Sequence, residues 1–214
     1  MIMKISSLLK AAGLIALLAS GASASAAEAS LSNHKILIAY FSFPLPQDVD
    51  ATTSASRLEV NGKTYGSVEY VADIIAKNTG ADLFKIETVQ QYPIDEYDHL
   101  TDFAHEEAEN DARPALKNTI DNFDDYDTVF VGYPIWWYKM PMALYTFFDT
   151  YDFSGKTIIP FSTHGGSRWS GTTREIERLE PNAKFLDGYS IYRSLTPYDP
   201  EDIKNWLKDI NIVK

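Results

Sequence analysis

The stretch from Asp127 to Phe148 constrains this chain more than any other. Thr128 to Val131 is a short apolar, β-branched run, as a strand buried on both faces requires. Gly132 is expected to end it and Pro134 to turn the chain. Ile135, Trp136, Trp137 and Tyr138 then fall together in a loop. Pro141 suits the first position of a helix, and Ala143, Leu144, Phe147 and Phe148 recur at helical spacing. Buried strand, aromatic loop and helix make the unit of an open parallel sheet, which binds ligands at the carboxyl ends of its strands. Two tryptophans and a tyrosine at that place suit a flat, conjugated ring better than a sugar or an ion. A plainer reading has the tryptophans filling core beneath the loop. It accounts for one of them more readily than for both.

The same unit recurs along the chain. Lys35 to Phe41 reads as a central buried strand, with Ser42 just past its end. A polar connection from Pro44 to Ser56 leads to a hairpin signal, Arg57 to Tyr65, centred on Asn61-Gly62, a pair suited to a two-residue type I′ turn. Gly66-Ser67 opens a helix whose apolar stripe is Val68, Val71, Ala72, Ile74 and Ile75, and Gly80 stops it. Asp82 to Thr88 is a second strand, and Tyr97 to Asn110 an acidic helix. Lys156 to Ser162 makes a fourth strand before the loop Thr163 to Ser167. A helix from Thr172 to Leu179, a fifth strand from Lys184 to Ile191 and a last helix from Pro200 to Lys208 complete the chain. This alternation predicts an α/β fold, a doubly wound, five-stranded parallel sheet with helices on both faces and right-handed crossovers.

The N-terminus is a separate matter. Lys4 and Lys10 flank an apolar run from Leu8 to Ala19, and Ala22 to Ala26 offers small-residue cleavage sites, the pattern of a secretory signal peptide. The run is too short to serve as a stable membrane anchor. Residues 1–26 thus read as a leader, 27–34 as a short linker and 35–214 as one domain, exported to the periplasm or the extracellular space. The absence of cysteine excludes disulfides, thiolate metal sites and a lipoprotein anchor. Twin arginines are absent too, so export is expected in the unfolded state, with any cofactor loaded afterwards. The formal charge is −11, and loss of the leader's two lysines takes it to −13. Such acidity argues against nucleic acid and favours a basic partner.

Three βα loops must meet at one edge of such a sheet. The first combines Ser42 with the helix start Gly66, Ser67 and Val68, where backbone N–H groups can face a phosphate, although Gly-Ser is also an ordinary helix start. The second is Gly132 to Tyr138. In the third, Ser162 to Ser167, the pair Gly165-Gly166 permits close backbone approach to a ligand, and His164 alone is more often a packing histidine than a catalytic one.

Together, Ile36–Ser42, Val131–Trp137 and Ile159–Gly166 resemble the three cofactor loops of the flavodoxin family, in the family's order, over nearly all of the chain from Lys35 onward. Exported flavodoxin-like bacterial proteins are the subgroup it most resembles. The resemblance implies strand order 2-1-3-4-5 and bound FMN. By position, Ser42, Gly66, Ser67 and Val68 would hold the phosphate. Pro134, Ile135, Trp136 and Trp137 would contact the isoalloxazine, with Trp136 or Trp137 stacked on it. Thr163, His164, Gly165 and Gly166 would offer backbone N–H groups to the pyrimidine edge. Two departures stand out. The hairpin is inserted between Ser42 and Gly66, and the family's Gly-Asn-Thr reads Gly66-Ser67-Val68. Val68 lacks a hydroxyl donor, a change of roughly 1 kcal/mol. Arg57, whose guanidinium matches phosphate geometry, is the first candidate to compensate, ahead of Thr52, Thr53 and Ser56.

Two other readings fall away. His99, Asp102, His105 and Glu106 do not follow a known metal-ligand spacing, and a solvated acidic helix face explains them. A receiver domain would need acidic residues after the first strand and a phosphoacceptor aspartate after the third, where this chain has Ser42 and Gly132-Tyr133. The expected function is therefore FMN-based electron transfer to a redox partner protein. The alternative is an FMN-dependent oxidoreductase acting on a quinone or nicotinamide, with Tyr138, Lys139 and His164 on the substrate side and His164 as a proton donor. A flavodoxin-like domain without flavin is a third possibility. Apolar stacking and an acidic surround would disfavour anionic reduced flavin. No catalytic acid–base pair stands out. If the leader reading holds, secreted protein has an intact mass corresponding to cleavage between Ala22 and Ala26; an unprocessed mass would refute it.

Overall fold

The computed structural model describes residues 35–44, 57–193 and 200–214. The expected leader and linker, and Thr52, Thr53 and Ser56, lie outside the described residues, as does the Arg57 side chain. In chain order the elements are β1 (Ile36–Tyr40), β2 (Arg57–Val60), β3 (Lys63–Gly66), α1 (Ser67–Thr79), β4 (Asp82–Lys85), α2 (Tyr97–Glu109) and β5 (Thr128–Pro134). Then come α3 (Met142–Thr150), β6 (Thr157–His164), α4 (Thr172–Leu179), β7 (Lys184–Phe185), β8 (Tyr189–Tyr192) and α5 (Pro200–Asp209).

The main sheet runs β4-β1-β5-β6-β7, with β8 also on β6, and every pairing in it is parallel. This is the expected 2-1-3-4-5 order with the fifth strand in two pieces. The break has a local cause. The carbonyls of Lys156, Ile158 and His164 accept from Lys184, Leu186 and Arg193. Pro160, in phase with them, faces the same edge but has no N–H to offer. Opposite it the chain passes at Gly188, so close that a Cβ there would run into the Pro160 carbonyl oxygen.

The central strands are buried on both faces, as their composition demands. One face carries Leu37, Ala39, Val129 and Val131 against Leu144, Phe147 and Ile176. The other carries Ile38, Tyr40, Phe130, Ile159 and Phe161 against Val68, Val71, Ala72 and Ile75 of α1 and Ile203 and Leu207 of α5. The separate hairpin β2–β3 turns at Asn61 and Gly62, both at positive φ (51° and 77°), as a type I′ turn requires. Gly80 ends α1 in the left-handed conformation, with its N–H on the Ala76 carbonyl at 2.8 Å.

Several boundaries differ from expectation. Gly132 does not end β5, which continues through Pro134. The glycine lies opposite Phe161, whose ring occupies the space a Cβ would need. It is a platform for the neighbouring ring rather than a stop. β6 likewise runs on through Thr163 and His164, placing both in the strand instead of the following loop. β4 closes at Lys85, after which Thr88 makes a lone antiparallel bridge to Leu116. Pro141 stands just before α3. Gly132→Ala should destabilise the fold by about 1–3 kcal/mol, because Phe161 has no room to retreat in a packed core. A urea midpoint unchanged from the native protein would contradict this.

Candidate functional site

The carboxyl ends of β1, β5, β6 and β8 bring the predicted loops to one edge. At the first loop, Ser42 follows β1 and Gly66 caps α1 with an extended backbone (φ −77°, ψ 149°). The two are in such close contact that any Cβ on Gly66 would overlap the Ser42 hydroxyl. Ser42 is 4 % exposed, and its Oγ has no hydrogen-bond partner among the described residues. A buried hydroxyl left unpaired costs about 1–3 kcal/mol, so this place asks for an acceptor or donor. Ser67 is fully buried and donates to Thr163 Oγ1 (3.2 Å), joining the start of α1 to the end of β6. The Val68 side chain is buried in the core with Ile38 and Tyr40. Only its backbone can face a ligand.

The aromatic loop is a tight reversal. Ile135 N–H donates to the Thr163 carbonyl (2.9 Å), while Trp136 and Lys139 exchange both backbone bonds (3.0 and 2.8 Å). Trp137 and Tyr138 occupy the two central positions at φ 48° and 62°. Glycine and asparagine usually take such positions, and bulky residues there carry strain. The two tryptophans divide the roles weighed for them. Trp136 is 9 % exposed and sits edge-on to Phe41 (5.3 Å) and Tyr92 (5.5 Å), largely as core. Trp137 is 48 % exposed, and its Nε1 donates to the Thr101 carbonyl of α2 (2.8 Å). Its ring lies 4.4 Å from that of His105.

At the third loop His164 departs from its expected role. Its buried ring accepts the Gly166 N–H at Nδ1 (3.0 Å), which places the ring proton on Nε2. Burial first, and then the charge of Arg168, holds it below its ordinary value of 6.5. It lines a separate cavity with Arg168, Trp169 and Ser190. Its lowered pKa and its place off the aromatic cleft tell against it as proton donor to a substrate there. The Gly166 N–H, already donated to His164, is likewise withdrawn from a ligand.

Between the loops lies a cleft of about 500 Å³. Ile135 to Tyr138 form one side and Gly165 to Ser167 another. Two contributors escaped the sequence reading. Helix α2 walls the cleft with Tyr97, Leu100, Thr101 and Ala104, and Arg193 enters from the end of β8. The acidic pattern of α2 drew attention to its solvated side, where His99 pairs with Asp95 (2.9 Å) and His105 with Glu109 (3.8 Å). Its apolar side, Leu100 and Ala104, was the signal for the wall. Near the cleft, Tyr92 donates to Glu107 (2.8 Å), and burial raises both groups. Such a site can hold a flat ring by stacking and shape. Among the described residues its lining presents no carboxylate and no histidine.

Residues 56–210 match the model of a protein family described as Flavodoxin. No curated protein matches the chain. Among solved structures, a candidate flavoprotein from Bacteroides eggerthii is 29% identical, with TM-score 0.64 over 83% of this chain and 98% of its own. One from Bacteroides uniformis is 26% identical, again with TM-score 0.64, over 82% and 99%. A Lactobacillus acidophilus flavoprotein in complex with FMN shares the fold at 15% identity, with TM-score 0.57 over 81% and 98%.

The neutral His164 has a pH signature. The native state binds its proton less tightly than the unfolded chain, so its contribution is full above 6.5 and falls as pH drops through that value toward the lower native one. Between about pH 7 and pH 5 the native protein should lose stability relative to His164→Asn. Parallel pH profiles for the two would contradict it.

Proposed function

The chain belongs to the flavodoxin family, and from that premise we propose that it binds FMN at this edge and serves as an electron-transfer flavoprotein. The observation that carries the proposal is the Ser42 hydroxyl, buried against Gly66 without a partner among the described residues, on the same sheet edge as the aromatic cleft. A phosphate at the start of α1 would satisfy that hydroxyl and meet the positive end of the helix. Glycine at 66 is the residue that leaves room for it. The Ser67 hydroxyl, bonded to Thr163, holds the phosphate loop against the pyrimidine loop. The backbone N–H groups of Ser67 and Val68 stand at the first turn of α1, and Arg57 begins β2 opposite Gly66. Ile135 and Trp136 would bear on the ring, with Trp137 and Tyr138 at the rim.

When bound, the flavin supplies the redox chemistry, and the protein positions it and tunes it. The acidic surface favours docking to a basic redox partner. If the leader directs export, that partner and the loading of FMN both lie outside the cytoplasm. A second reading, an FMN-dependent quinone or nicotinamide oxidoreductase, is favoured by the wall that α2 builds. Tyr97, Leu100 and Ala104 give the cleft a second apolar side against which a flat substrate can stack.

Mature protein given FMN and desalted should keep a visible flavin spectrum. Folded protein without one would overturn the proposal. Rapid two-electron turnover with NAD(P)H or a quinone, in place of one-electron exchange, would select the second reading. Ser42→Ala should weaken FMN binding by roughly tenfold or more, the size of a hydrogen bond to a charged acceptor, and riboflavin, which has no phosphate, much less. Equal losses for both ligands would refute the phosphate assignment.

A further inference from the structure

Arg193 is the one ionised side chain among the described residues lining the cleft, and it is a cation in a chain of formal charge −11. Its place is fixed by the sheet. Its backbone N–H donates to the His164 carbonyl (3.0 Å), extending the β6–β8 pairing by one residue past Tyr192. Its guanidinium lies against Gly165, with Cζ 3.3 Å and Nη1 3.4 Å from where a Cβ on that residue would stand. The missing side chain at 165 thus gives the guanidinium its seat at the cleft. Among the described residues no carboxylate forms an ion pair with it.

We propose that Arg193 sets the preference of this site for reduced over oxidised FMN. The inference rests on the FMN reading. Oxidised FMN has a neutral ring. On taking up two electrons and one proton the ring becomes an anion, with its charge at the pyrimidine end. That end is assigned to the loop against which Arg193 lies. A guanidinium is always protonated and planar, with several donors for such an edge. It stabilises the anionic ring more than the neutral one, and only that difference shifts the balance between the two states. Arg193 therefore opposes the general effect of an acidic surround and makes two-electron reduction of the bound flavin easier.

The test is to measure dissociation constants for oxidised FMN and for FMN reduced anaerobically with dithionite, in the native protein, Arg193→Gln, Arg193→Lys and Gly165→Ala. Circular dichroism confirms that each is folded. The ratio of the reduced to the oxidised dissociation constant should rise about tenfold in Arg193→Gln, the scale of one charge-assisted hydrogen bond, and much less in Arg193→Lys. Gly165→Ala keeps the charge but crowds the guanidinium, and should move the ratio the same way as Arg193→Gln. An unchanged ratio in a folded Arg193→Gln that still binds FMN overturns this inference and leaves the FMN reading standing. Native protein that binds FMN in neither state overturns both.

Discussion

The ladder between β5 and β6 is the interaction on which the site depends. It runs through seven residue pairs, from Thr128 with Thr157 to Pro134 with Thr163. Both strands are covered on both faces, so their backbone groups have no competing partner and the register cannot slip without exposing core side chains to the wrong layer. Because the ladder extends to the last residues before the loops, the aromatic reversal and the glycine pair leave the sheet at a fixed separation. The Ile135 N–H on the Thr163 carbonyl adds one more rung beyond the strand end. The cleft is a gap between two loops that the sheet holds apart.

Much of the architecture was legible because single residues carried the signal. Asn61-Gly62 admits one kind of hairpin, Gly80 one kind of helix end, and Thr172 to Leu179 a helix of the length observed. What escaped depended on neighbours far away in the chain. Gly132 reads locally as a break, but its role is set by the ring of Phe161 on the adjacent strand. The split of the fifth strand depends on Pro160, more than twenty residues earlier.

The candidate site was legible in its loops and not in its walls. A strand, a turn and aromatic residues mark Ile135 to Tyr138 from the sequence alone. Leu100 and Ala104 show in the sequence only as an apolar side of α2, and an apolar stripe on a helix has the same pattern whether it meets core or ligand. Arg193 is invisible for a similar reason, because its position follows from a pairing register. His164 illustrates the converse error. Its chemistry attracted a role that its burial and its bond to Gly166 take away.

The reversal at Trp137 and Tyr138 has a thermodynamic consequence for helix α2. Two bulky residues held in the left-handed region cost of order 1–3 kcal/mol each. The offset comes partly from α2, through the Trp137 bond to Thr101, the His105 ring and the reach of Lys139 Nζ to the Ala108 carbonyl (3.3 Å). The rim and the helix are thus halves of one equilibrium. An occupant that tightened the rim would therefore favour the ordered α2 as well, and by linkage loosening α2 would weaken the hold on that occupant by the same factor.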